Sequence, residues 1–407
     1  MQEKFINSSY RHGFLSALDD AMSGKSVYLP NPLERVSQSF NLQQSRFTLL
    51  GSSSGAGKSA FIDYEYVLEP WSYLQNHPDI HYEGLYYSME RKKMLKHAKW
   101  VSWMLYRDKG WLISADTILG YNPEAKMNKA VYDIVRSYDE EMSNLLDVIH
   151  IHDGRVSCDQ MAEAIRAKSL ALGTLFVADS FGVTLNGEGS YLATFTSEQF
   201  RETRVGREYY VDLNYKGENF TMTKDSKMYF LNNPQTFFYI ILDGVGLIEK
   251  RKGQSTKQAV DEVTDLLADA RDVFGASPIM VSQFNRAIAD IHRQKNHGVD
   301  LAPQEGDFRD SAGPFQAADL VLGLFDPIRF KAYDDGGYYG DYDVREAMMS
   351  PTGIARFRSL HILKNSFGID GSVYGMKFMG EVGHFSTLPF PNSPELLKIY
   401  EQIRSGL

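Results

Sequence analysis

The stretch RFTLLGSSSGAGKSAFID, Arg46–Asp63, decides the fold. Arg46 to Leu50 is apolar and β-prone, and Gly51 breaks it into a Gly/Ser loop. A helical stretch begins at Ser59 and contains Phe61, Ile62, Tyr66, Val67 and Trp71. Strand, glycine loop and helix, in that order, form the context a phosphate-binding loop requires. Within SSSGAGKS, Ser52 stands where the usual first glycine would be, with Gly51 one residue earlier. Gly55 and Gly57 let backbone N–H groups between Ser54 and Ser59 face a phosphate, with Ala56 between them. Lys58 reaches the β and γ oxygens, and Ser59 offers a hydroxyl to Mg²⁺. The expected ligands are ATP and Mg²⁺.

Working outward, GLYYS (Gly84–Ser88) reads as the next strand, followed by a helix from Lys92 to Leu105. Val148–Ile151 is a strand and Gln160–Leu172 a helix. This alternation predicts an α/β, RecA-like core, a mostly parallel sheet with helices on both faces. From 174 to 236 the texture changes to short β-branched and aromatic runs separated by turn residues, an antiparallel β-rich insertion. Alternation resumes with a strand at Phe237–Leu242, a helix at Val260–Val273, and strands at Pro278–Ser282, Leu320–Phe325 and Ser359–Leu363. The expected organisation is an N-terminal arm (1–45) with a short helix between Tyr10 and Met22, a core in two parts (46–173 and 237–389) around the insertion, and a C-terminal helix (390–407).

Composition narrows the class. The 407 residues are 43% hydrophobic and 23% charged, which excludes disordered and fibrous chains. No run approaches the ~18 apolar residues of a membrane span. The N-terminus lacks a signal-peptide pattern, and the single Cys158 permits neither an internal disulfide nor a cysteine zinc site. A cytoplasmic protein is expected. The net charge of −9 excludes a surface coated in positive charge but not a local basic channel.

A P-loop ATPase also needs an acid at the end of a neighbouring strand to hold Mg²⁺. FFYIILDG, Phe237–Gly244, nominates Asp243, although Asp-Gly is also a common turn pair. His150 and His152 lie two apart on a strand with no third ligand nearby, so a metal site there is not expected.

Several further segments together resemble the RecA-like ATPase domain of DnaB-type hexameric replicative helicases, particularly phage versions. YYSMERKKM is similar to the second-strand motif and puts the catalytic glutamate at Glu90. IMVSQFNR puts the γ-phosphate-sensing glutamine at Gln283. DFRDSAGPFQAADLVLGL is similar to the Asp-Leu-Arg-Glu-Ser-Gly segment and puts DNA contacts at Arg309 and Asp310. LHILKNSFG matches the Lys-x-Arg-x-Gly segment at Lys364, with Ser366 in place of the arginine. These motifs run in the family's order from about Val36 to Gly368. The family's helical N-terminal domain has no counterpart, and the 174–236 insertion departs from the family's spacing.

The resemblance implies a ring, most often a homo-hexamer, moving on single-stranded DNA, with replication proteins such as primase as partners. Arg286 and Arg293 after the Gln283 strand, and Lys252 after the Asp243 strand, would then line a channel for phosphates. Without a ring they are solvated loop charges. Arg356 and Arg358 are expected on the same face as Lys364, since their separations are even. The alternative function is a DNA-binding P-loop ATPase that does not unwind.

Overall fold

A computed structural model, which describes residues 15–23, 28–285, 288, 302–308 and 312–406, closes the alternating pattern into a nine-stranded sheet. Its first strands are β1 (Thr48–Ser52), β2 (His81–Ser88) and β3 (Ile149–Asp153). The insertion carries β4 (Gly173–Ala178), β5 (Gly182–Leu185), β6 (Glu188–Thr194), β7 (Phe200–Thr203), β8 (Gly206–Tyr215), β9 (Glu218–Thr223) and β10 (Lys227–Leu231). The sheet then resumes with β11 (Thr236–Asp243), β12 (Ser277–Gln283) and β13 (Leu320–Phe325). A short hairpin, β14 (Tyr338–Tyr339) and β15 (Tyr342–Asp343), precedes β16 (Phe357–Asn365), β17 (Val373–Met379) and β18 (His384–Thr387).

The strand order is β18-β17-β16-β13-β1-β12-β11-β2-β3. From β13 to β3 all neighbours are parallel, while β16, β17 and β18 add on antiparallel. Alternate strand residues feed two cores, as the two-residue period requires. Leu50 and Ile241 join the core with Phe61, Trp100 and Leu145; Leu49, Ile240 and Leu242 join the one with Met161, Val263 and Leu396. Helices therefore cover both faces. Ser157 and Ser255 cap two of them with reciprocal bonds to Gln160 and Gln258.

The insertion forms a four-stranded sheet, β10-β4-β5-β6, and a three-stranded sheet, β7-β8-β9. Its first and last strands pair, with Leu231 opposite Gly173, and the Asn232 amide donates to the Leu172 carbonyl at 2.9 Å. The chain thus re-enters the core where it left. Phe176, Val183, Val211, Phe220 and Met222 give the insertion an apolar cluster of its own. Thr236 pairs with His81 in the central sheet, so the β-rich segment ends at Leu231 rather than at 236.

Two other expectations change. A register shift in the β13–β16 pairing places Ile362 opposite Leu322 but Lys364 opposite Val321. The extra residue breaks the even-spacing rule. Arg358 follows Leu360 and Ile362 toward the first core, whereas Lys364 reaches the helix Ala312–Ala317 on the other face. Tyr339 and Tyr342 are buried in the hairpin, leaving Tyr338 as its exposed ring. The arm helix spans Ser16–Met22; Tyr10 to Phe14 lie outside the described residues. No helix among the described residues is long and apolar enough to cross a membrane.

Candidate active site

Parallel strands bring the ends of β1, β2, β11 and β12 to one edge, the edge where ligands bind in such sheets. The loop after β1 folds as the sequence predicts, with Gly55 and Gly57 at positive φ (82° and 105°) and the helix starting at Lys58. Gly57 has a second constraint. A Cβ there would lie 2.9 Å from the Phe378 ring, so β17 backs the loop closely. Lys58 and Ser59 are buried, while Ser54 and Gly55 face outward.

Glu90 lies two residues beyond β2 and before the helix Lys93–Lys109. Its Oε2 is 3.2 Å from Lys58 Nζ. This placement favours a site role over a helix-dipole role, because the side chain turns to the phosphate loop. Gly244 makes room for it: φ is 99°, and a Cβ would sit 2.9 Å from Glu90 Cγ. The Asp-Gly pair therefore does more than end a strand. Lys58, Met89, Glu90, Gly244, Thr256 and Gln283 line one cavity of about 350 Å³. Gln283 is the exposed last residue of β12, in register with Ser52.

Asp243 ends β11 fully buried, and neither carboxylate oxygen reaches a hydrogen-bond partner. Burial raises its pKa; the Lys96 ammonium and then the Ser59 hydroxyl oppose the shift. An orphaned buried carboxylate beside a serine hydroxyl is a hard-oxygen donor set of the kind that suits Mg²⁺ shared with phosphates. The residues present fit that ion. Beneath them lies a network the sequence reading passed over: Lys96 Nζ donates to both Asp63 oxygens (2.9 and 3.1 Å) and to the Tyr86 hydroxyl (2.7 Å). The available signal was a cation on a buried stripe, Lys96 at helical spacing from Trp100 and Trp103.

Two arginines were also missed. Arg358 is buried and donates from Nε to the Ala56 carbonyl at 2.8 Å, with Nη1 3.2 Å from Asp326. Burial pushes its pKa down and Asp326 opposes this. Arg329, four residues beyond β13, donates from Nη1 to the Ser54 carbonyl. Lys364 donates to the carbonyls of Phe315 (3.2 Å) and Gln316 (2.9 Å) in its own chain, and Ser366 is exposed beyond it.

Arg286, Arg293, Arg309 and Asp310 lie outside the described residues. Their flanks are placed, however. The Phe284 amide donates to the Ser52 carbonyl at 2.9 Å, and the Asn285 amide donates to the Asp307 carbonyl at 2.7 Å. Both segments thus start beside the phosphate loop. Lys252 is exposed in the turn before the helix Thr256–Phe274. His150 and His152 are exposed on β3, and no group of three metal-ligating side chains occurs among the described residues.

No family model matches the sequence, and a search of curated proteins finds no match. Solved structures do share its fold. The ATPase domain of a phage DnaB-like helicase superposes with a TM-score of 0.57 at 14% identity, covering 94% of this chain and 100% of that one. A DnaB-like replicative helicase, described with its interactions with primase, gives 0.58 at 13% identity, covering 95% of this chain and 68% of that one. The fold is that of the RecA-like ATPase domains of DnaB-like helicases, with the antiparallel sheets of the insertion added.

Proposed function

We propose that this chain is an ATP-hydrolysing motor on single-stranded DNA, a DnaB-like replicative helicase working as a ring, with a homo-hexamer as its expected form. The observation that supports this best is the convergence of Lys58, Glu90 and Gln283 on one cavity beside the orphaned Asp243 carboxylate. Loop N–H groups and Lys58 bind the phosphates. Glu90 accepts the proton of the attacking water. Gln283 hydrogen-bonds the γ-phosphate and carries its loss into the segment after β12. Ser59 and Asp243 hold Mg²⁺, which when bound neutralises charge developing on the phosphates.

In the ring, Lys364 faces the neighbour's nucleotide, and Arg286, Arg293, Arg309, Asp310 and Lys252 meet the DNA. Primase is the replication partner that the similar helicase brings to mind for this chain. The test measures ATP hydrolysis with and without single-stranded DNA, together with strand separation of a duplex bearing a 5′ single-stranded tail. Stimulated hydrolysis with unwinding is expected. Stimulated hydrolysis without unwinding replaces the helicase with a non-unwinding DNA-binding ATPase, and no hydrolysis in either condition discards both.

A further inference from the structure

The phosphate loop has two sides. Because β1 lies between β12 and β13, the ends of β12, β11 and β2 place Gln283, Asp243 and Glu90 on one side of it. The segment after β13 reaches the loop from the other side. There the Arg329 guanidinium donates to the Ser54 carbonyl and occupies the space that a Cβ on Gly55 would need.

This arginine is anchored. Its backbone N–H donates to Asp326 Oδ1 at 3.2 Å, and Asp326 Oδ2 lies 3.2 Å from Arg358 Nη1. Arg358 in turn donates to the Ala56 carbonyl. Two carbonyls of the loop therefore each take a guanidinium from their own chain. The two arginines differ in one respect that matters. Arg358 is 6% exposed and cannot leave its place, whereas Arg329 is exposed and can exchange the Ser54 carbonyl for another acceptor.

Charge points the same way. Two guanidinium groups share one carboxylate, and among the described residues no acid pairs with the Arg329 side chain. A surplus cation thus stands at the rim of a loop built to receive an anion. A planar guanidinium forks onto two phosphate oxygens, which an ammonium cannot do.

We propose that Arg329 is a nucleotide contact supplied by the same chain, binding the diphosphate portion that ATP and ADP share, from the side of the loop opposite Glu90. This rests on the nucleotide-binding reading above. With water activation assigned to the Glu90 side, the γ-phosphate belongs there, and Arg329 meets the remainder. Arg329 is then a binding residue whose loss raises KM for ATP and leaves kcat within about twofold, the pattern of lost uniform binding.

The experiment is calorimetric titration of the full chain with ADP and with the slowly hydrolysed analogue ATPγS, both with Mg²⁺, for wild type, Arg329→Ala and Arg329→Lys. Arg329→Ala should weaken both nucleotides by a similar factor, roughly tenfold or more, with a shallower salt dependence of Kd. Arg329→Lys should recover part of the loss. Unchanged ADP affinity in Arg329→Ala, or a loss confined to ATPγS, overturns the assignment. So does an equal loss with wild-type salt dependence and no recovery by lysine, which marks a merely structural prop. Wild type failing to bind either nucleotide sinks the parent reading instead, and Arg329 with it.

Discussion

Lys58 Nζ lies 3.2 Å from Glu90 Oε2, so the phosphate loop after β1 and the segment after β2 meet at one point. The strand order makes this contact informative: β12 and β11 stand between those two strands. Their own ends, Gln283 and Asp243, flank the contact. Four strands that are distant in sequence thus contribute one side chain each to a single edge.

The Asp243 carboxylate is the least satisfied charge of that edge. Asp243→Asn removes a buried charge whose ionised form burial disfavours. The nucleotide-free variant should melt at least ~2 °C above wild type, while the extra stabilisation from adding Mg²⁺ with ATP is lost. Thermal melting in both conditions checks this, and a variant less stable than wild type without ligand contradicts the account.

Glu65 is fully buried on the helix that follows the loop and accepts from Asn31 Nδ2 at 2.7 Å. Burial, reinforced by Glu69 and opposed by the Asn31 bond, pushes its pKa up to about 8. The native state then binds a proton that the unfolded state releases near its ordinary value of 4.5. This group's contribution is fully present below that value, falls as pH rises, and is lost once pH passes about 8. Glu65→Gln keeps the acceptor without the charge. Its melting temperature should exceed that of wild type at pH 8 and converge with it near pH 5, and parallel pH profiles would refute this.

The insertion should be dispensable for folding. Replacing residues 174–231 with a short Gly/Ser bridge reconnects Gly173 to Asn232, whose amide already bonds the Leu172 carbonyl. Closing so short a gap costs little entropy. A soluble product that binds ATP is expected; an aggregated one would make the segment part of the core.

Ser366 leaves the subunit interface without the arginine of the resembling motif, and Lys364 is held by carbonyls of its own chain. With single-stranded DNA saturating, Ser366→Arg should hydrolyse ATP faster than wild type, since such an arginine contributes up to roughly 10³ to 10⁵ in rate. Lys364→Ala should be slower. Steady-state rates indifferent to both changes would remove the end of β16 from the neighbour's site.

Much of this was legible in the sequence because the signals are local. The loop Ser52–Ser59 needs glycines at positive φ and a lysine at a helix start, and those residues stand in order. Asp243 and Gln283 end apolar runs that can only be buried strands, so their position at the sheet edge follows. Other features were not legible because they depend on pairing across the chain. The bulge at the end of β16 moved Lys364 to the other face from Arg358, and no local pattern marks that shift. Arg329 and Arg358 reach the loop only because β13 and β16 add on beside β1, a fact of sheet order. Lys96 was hidden by its chemistry, since a lysine on a helix ordinarily reads as a solvated face.

The central claim is that Lys58 and Glu90 divide the work of one ATP site, charge neutralisation against water activation. Glu90→Gln tests it most directly, with ADP and ATPγS affinity measured beside ATP turnover in the presence of single-stranded DNA. The account predicts affinities within a few-fold of wild type and turnover lowered by about 10² to 10⁴, the range for loss of a general base. Turnover near the wild-type rate, with nucleotide still bound, would contradict it.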